Sequence, residues 1–170
     1  PDRGGTFTTP LPQSSDIEKR ERYGYHLETF AEHTERVLAA VDELWPPYEY
    51  AARALERRFN WPVGTLAVLA RTVAVLHDTG KLAADWQRWV HKYHNAISRP
   101  LAPGAYAHTE YNPTDAGHVA AARRAGRRPP HAAEGALAGL QPLALAAHRR
   151  RELVCAAYSA IARHHAPHAT

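Results

Sequence analysis

The chain has 170 residues, enough for one domain with its own core, and 45% hydrophobic against 22% charged residues excludes wholesale disorder. No run approaches the roughly 18 apolar residues of a membrane-spanning helix, and Pro1 to Gln13 hold no apolar stretch of the signal-peptide kind. The single cysteine, Cys155, excludes an internal disulfide and a multi-cysteine zinc site, so a reducing cytoplasm is the expected compartment.

Residues 1–22 are rich in Pro, Thr and Ser without periodicity and read as an extended lead-in or linker. The folded domain is expected over 23–170. From Leu27, apolar residues recur at three and four (Phe30, Ala31, Thr34, Val37, Leu38, Val41, Leu44), which predicts a helix stopped by Pro46 and Pro47. A second helix is expected from Tyr48 to Arg58, with Tyr50, Ala51, Ala54 and Leu55 inward, broken by Asn60-Trp61-Pro62. The third, Val63 to His77, is the most apolar segment and the candidate central helix, with Gly80 at a tight turn after it. Leu82 to Tyr93 is amphipathic, with Trp86, Trp89, Val90 and Tyr93 on one side. Residues 95–130 are a long irregular break with room for a short helix near Ala116–Arg124. Helices resume over Ala132–Ala147, interrupted near Pro142, and over Arg151–His165. No segment alternates as a strand, so the reading is an all-α bundle.

Twelve histidines are the informative excess, because imidazole is the commonest metal ligand near neutral pH. The chain has no methionine, which fits either a processed start or a piece of a longer polypeptide. The net charge of +4 favours a phosphate-bearing partner, although a bias toward Ala and Arg gives the same number. His33 borders the apolar face of the first helix. His77 ends the most buried helix and is followed at once by Asp78. His131 precedes a new apolar helix. His164 and His165 follow Ile161 by three and four. Any one of these suits a capping or core role, but together they bring an imidazole to several helix ends, one beside a carboxylate. Nitrogen and carboxylate donors suit divalent manganese, iron, nickel, cobalt or zinc. Two such ions roughly 3.5–4 Å apart can hold the attacking and leaving oxygens of a phosphodiester, and an aspartate can bridge them. Lys81, three residues on, can offer a cation to phosphate.

These residues carry a resemblance. His77-Asp78-Thr79-Gly80-Lys81 after Ala74-Val75-Leu76 resembles the signature of the HD phosphohydrolase superfamily, and Glu32-His33 fits its first histidine. Leu82 to Trp89, Pro130 to Ala136 and Ile161 to His165 are similar to later elements of the HD nuclease domain of the type I CRISPR helicase-nuclease. The resemblance covers about residues 25–168. It implies an all-α HD-domain helical bundle with a metal site at its centre. It implies metal ligands at His33, His77, Asp78, His131, His164 and His165, with Asp78 and Lys81 catalytic. The implied cofactor is one or two divalent ions of manganese, magnesium, nickel, iron or cobalt. The implied activity is cleavage of single-stranded DNA in the prokaryotic cytoplasm. The implied partners are a CRISPR-associated helicase, in the same or another chain, and an RNA-guided surveillance complex, with no membrane. The family supplies a further aspartate ligand after the paired histidines, which falls past Thr170 and leads us to expect a domain truncated at its C-terminal end. An HD hydrolase of nucleotides or cyclic dinucleotides, and a degenerate HD module that only binds DNA or a partner, stay open.

Other features point less sharply. Thr79-Gly80-Lys81 is not a P-loop, because Val75 and Leu82 stand where that motif needs glycine and Ser/Thr. His91 and His94 are expected at the surface, and His26, His108, His118, His148 and His168 in solvent. Trp86 and Trp89 suit either a core or a base-stacking wall. Arg123, Arg124, Arg127 and Arg128, and likewise Arg149 to Arg151, suit either a phosphate track or a solvated surface.

Overall fold

The computed structural model describes residues 26–165. Within them the chain is an all-α bundle of eight helices, and none is long and apolar enough to cross a membrane. The lead-in expected over 1–22 lies outside the described residues, as does His168.

The first helix, α1 (Phe30–Leu44), starts three residues later than the periodicity predicts. Thr29 stops it with a capping box: its hydroxyl accepts from the Glu32 amide at 3.3 Å, and Glu32 Oε2 accepts from the Thr29 amide at 2.9 Å. The residues ahead of the cap are extended. Strand β1 (Glu28–Thr29) pairs antiparallel with β2 (Tyr106–His108), Glu28 opposite His108 and Thr29 opposite Tyr106. This small ladder corrects the expectation of no strand. At two and three residues its strands are too short to show a period.

Pro46 and Pro47 do end α1, and they also open α2 (Pro46–Arg58), where a missing N–H costs nothing. The face expected inward is not the one buried. Tyr50 is 80% exposed and Leu55 46%, whereas Ala52 and Glu56 are buried. Glu56 decides the rotation. Its carboxylate accepts from the Gly64 and Leu66 amides at 2.9 and 2.8 Å and so caps α3 (Thr65–Leu76).

Helix α3 packs with the last two helices around Leu69, Ala136, Leu143, Ala147, Leu153, Ala157 and Ile161, which makes it central as expected. A 3-10 turn (Thr79–Leu82) follows, then α4 (Ala84–Ala96). A second cluster joins Trp86, Trp89 and Val90 of α4 to Tyr106 of β2. Gln87 pins β2 to the 3-10 turn: its amide donates to the Tyr106 and Lys81 carbonyls at 2.9 and 2.6 Å, and its oxygen accepts from the Tyr106 amide at 3.0 Å. The stretch 95–130 is therefore anchored rather than loose, and it carries α5 (Ala116–Ala125) against α4.

Helices α6 (Ala132–Ala138) and α7 (Leu140–Ala146) replace the single interrupted helix expected there. The break falls at Gly139, not Pro142. Pro142 sits in the first turn of α7, where proline is tolerated, while a β-carbon at Gly139 would meet Leu76 Cδ1 at 3.0 Å. Helix α8 (Arg151–Ala162) ends just before the paired histidines.

Candidate metal centre

Six residues from four segments meet around one carboxylate. His33 comes from the first turn of α1, His77 and Asp78 from the end of α3, His131 from the residue before α6, and His164 and His165 from just beyond α8. Asp78 is 3% exposed. Its Oδ2 lies 3.0 Å from His33 Nε2 and 3.2 Å from His77 Nε2. Its Oδ1 lies 3.1 Å from His131 Nε2 and 3.3 Å from His164 Nε2. The two oxygens thus face separate groups of imidazoles. His33 Nε2 and His77 Nε2 are 3.1 Å apart, and His131 Nε2 and His165 Nε2 are 2.8 Å apart.

Local hydrogen bonds decide which ring nitrogens face the carboxylate as lone pairs. His77 Nδ1 donates to the Ala74 carbonyl and His164 Nδ1 to the Ile161 carbonyl, each at 2.7 Å. Each nitrogen bonds a carbonyl three residues back, the reach of one helical turn. In a neutral imidazole the other nitrogen, Nε2, is then an acceptor. Acceptors aimed at a carboxylate repel it unless a cation lies between them. Asp78 Oδ1 and His164 Nε2 are also buried without a hydrogen-bond partner among the described residues, an arrangement that costs about 1–3 kcal/mol per group if nothing compensates it. Nitrogen and carboxylate donors roughly 3 Å apart have the composition and spacing of a divalent-cation shell. The donor set fits one or two such ions, in the groups His33, His77, Asp78 and Asp78, His131, His164, His165; a third group, Glu28, His33 and His108, adjoins them, but its carboxylate is already held by Arg36.

Charge follows the same division. Burial disfavours an ionised Asp78, but the surrounding imidazoles, His131 foremost, hold its carboxyl far below the usual range. Asp78 in turn raises the His164 imidazole above its ordinary value. Burial and the neighbouring His164 and His131 push His165 down to about 4. Lys81, 3% exposed, donates to Asp78 Oδ2 at 2.7 Å; burial pushes its ammonium down against the pull of that carboxylate. The 3-10 turn makes this contact possible, because it brings Lys81 back over the residue three before it.

A cleft of about 250 Å³ opens beside the centre, lined in part by Lys81, Trp86, His108, Arg128, His131 and His165. Lys81 Nζ and the Arg128 guanidinium lie 5.3 and 5.7 Å from the Trp86 ring. Trp86 and Trp89 belong to the core and at the same time line the cleft. Arg123, Arg124 and Arg127 are exposed.

Several histidines depart from expectation. His108 is not solvated: it is packed 4.6 Å from the His33 ring, centroid to centroid, and burial and Lys81 push its imidazole down to about 3. His94 is fully buried rather than at the surface, and neither of its ring nitrogens has a hydrogen-bond partner among the described residues. It lies on the inner side of α4 beside Tyr93, with which its ring makes an edge contact. His118 accepts from the Tyr93 hydroxyl at 2.8 Å and the Asn112 amide at 3.2 Å. Sequence reasoning missed Glu28 altogether. It is buried against His33 and Arg36, and the only sequence signal for it is a carboxylate five residues before a ligand-type histidine.

A family model described as "Cas3, HD domain" matches residues 16–170. No curated protein and no solved structure matches the chain.

Proposed function

The chain belongs to the Cas3 HD-domain family of CRISPR-associated, metal-dependent hydrolases, and from that premise we propose that it is a nuclease domain that cleaves single-stranded DNA in CRISPR interference. One observation carries the reading: two groups of imidazoles face the two oxygens of one buried carboxylate. His33, His77 and Asp78 would hold one cation, and Asp78, His131, His164 and His165 the other. Divalent cations held there supply Lewis acidity toward phosphodiester oxygens and make water a competent nucleophile at neutral pH. Asp78 serves both groups, so it fixes their separation. The Nδ1 bonds of His77 and His164 to main-chain carbonyls keep those rings from turning away. Lys81 neutralises part of the Asp78 charge and presents its ammonium at the cleft, where a phosphate would sit. Trp86 offers a flat wall for a base, and Arg128 a cation for the next phosphate.

The lead-in over 1–22 and the nuclease domain over 23–170 belong to this proposal. So do the prokaryotic cytoplasm, a helicase that delivers the strand, and an RNA-guided surveillance complex that selects it. Hydrolysis of a free nucleotide or cyclic dinucleotide is the open alternative, so the test sets these substrates side by side. The chain, titrated with Mn2+, is offered single-stranded DNA, duplex DNA, nucleoside triphosphates and a cyclic dinucleotide. Metal-dependent cutting of the single strand in preference to duplex is the expected result. Turnover of the small molecules alone, or no turnover by metal-loaded protein, overturns the reading.

A further inference from the structure

Glu28 is a buried carboxylate at the edge of the centre, outside the two ligand groups that share Asp78, and with His33 and His108 it forms a third cluster of closely spaced donor atoms. Its two oxygens are fully engaged: Arg36 Nε donates to Oε1 at 2.8 Å, Arg36 Nη2 to Oε2 at 2.7 Å, and His33 Nδ1 stands 3.0 Å from Oε2. A carboxylate only accepts, so the 3.0 Å contact is a hydrogen bond when the proton is on His33 Nδ1, and it is shorter than the 3.4 Å approach of Arg36 Nη2 to the same nitrogen, which would need a lone pair there. The opposite ring nitrogen, Nε2, is the one 3.0 Å from Asp78 Oδ2 and 3.1 Å from His77 Nε2. The fold is organised to hold this contact. Glu28 is placed by the β1–β2 ladder, opposite His108, and the capping box starts α1 one residue past β1, so that His33 falls in the first turn above it. Arg36, one turn on from His33, closes the fork from the solvent side.

We propose that Glu28, clamped by Arg36, is a positioning residue of the metal centre: it holds the proton on His33 Nδ1 and thereby aims the His33 Nε2 lone pair at the shared site with Asp78. This rests on the metal-centre reading above and adds a residue outside its ligand set. His77 and His164 obtain the same orientation from main-chain carbonyls three residues back. His33 lies in the first turn of α1, not at a C-terminus where carbonyls are free, and the carbonyl three residues before it, Phe30, accepts from the Thr34 hydroxyl at 2.8 Å. A side-chain acceptor from the strand takes its place. Carboxylate partners of this kind typically alter metal affinity 10–100-fold.

The test has two readouts. Histidine side-chain 15N–1H correlation spectra of the 170-residue protein, recorded without metal and with Zn2+, report which ring nitrogen of His33 carries a proton. Calorimetric Mn2+ titration compares wild type, E28A and E28Q. The expected results are a protonated His33 Nδ1 in both wild-type spectra and a 10–100-fold weaker Mn2+ affinity in E28A. E28Q, whose amide oxygen still accepts from Nδ1, should lose less than E28A. An unprotonated His33 Nδ1 in wild type, or Mn2+ affinity within threefold of wild type in a folded E28A, overturns the assignment. If E28A does not fold, the wild-type spectra decide. If wild type binds neither metal, the metal-centre reading fails, while the metal-free spectrum still judges Glu28.

Discussion

Gly80 is the tightest point between the two halves of the centre. It sits in the 3-10 turn two residues after Asp78, and a β-carbon there would lie 1.9 Å from the His131 carbonyl oxygen and 2.8 Å from its carbon. Gly135 faces it with the same constraint, since its β-carbon would stand 2.9 Å from the Gly80 amide nitrogen. Gly80 does not have a positive φ, so space and not backbone conformation requires glycine. Both obstacles are main chain and cannot rotate aside. Gly80→Ala must therefore part the turn from the start of α6 by about 1 Å, an overpacking that costs about 1–3 kcal/mol. The displacement falls on the 3.1 Å approach of Asp78 Oδ1 to His131 Nε2, whereas metal–ligand distances tolerate only about 0.2 Å. The variant should fold with a lowered urea midpoint and bind Mn2+ at least tenfold more weakly. Urea unfolding followed by circular dichroism, with calorimetric Mn2+ titration, measures both. A Gly80→Ala protein with the wild-type midpoint and wild-type affinity would refute the argument that these backbones must touch.

Three further outcomes follow from single contacts. Glu56→Ala leaves the half-buried Gly64 and Leu66 amides without their acceptor, and thermal unfolding should show a loss of about 1–3 kcal/mol; a midpoint equal to wild type means solvent replaces the cap. Asp78 raises the His164 imidazole above its ordinary value, and a protonated imidazole cannot ligate. Mn2+ affinity should therefore fall as pH drops from 8 to 6, beginning above the usual imidazole value near 6.5; an affinity flat across that range contradicts His164 as a ligand. Arg128→Ala should weaken single-stranded DNA binding and lower its salt slope by about one without changing Mn2+ affinity, as read by fluorescence anisotropy over a salt series. An unchanged slope removes Arg128 from the strand's path.

What the sequence makes legible is what is local in sequence or strongly periodic. His77-Asp78 and His164-His165 are adjacent pairs at helix ends, and the apolar run of α3 announces the central helix. Short and long-range devices are not legible in the same way. Strand β1 is two residues long, so nothing in the pattern shows that Glu28 and His108 lie opposite each other beside His33. The rotation of α2 follows from a carboxylate that caps a different helix, and hydrophobicity alone turns Tyr50 and Leu55 inward when they are in fact exposed. Pro142 outranks Gly139 as a breaker by propensity, yet proline in a first turn is harmless and the close approach of Leu76 is visible only in three dimensions. His108 reads as solvated because it falls in an irregular stretch, and His94 as a surface residue because no other ligand joins it and His91 in sequence; β2 half-buries the first and the inner face of α4 buries the second.

The account stands on Asp78 as the carboxylate shared by two cations, and cleavage of single-stranded DNA by Asp78→Ala beside wild type in the presence of Mn2+ tests that most directly. Removing the carboxylate takes a ligand from both groups and leaves Lys81 buried without its partner. The core around Leu69, Leu143 and Ile161 is built from apolar side chains alone. The prediction is a helical protein by circular dichroism whose Mn2+-dependent cleavage is lower by orders of magnitude. Near wild-type cleavage by a metal-loaded Asp78→Ala protein would contradict it.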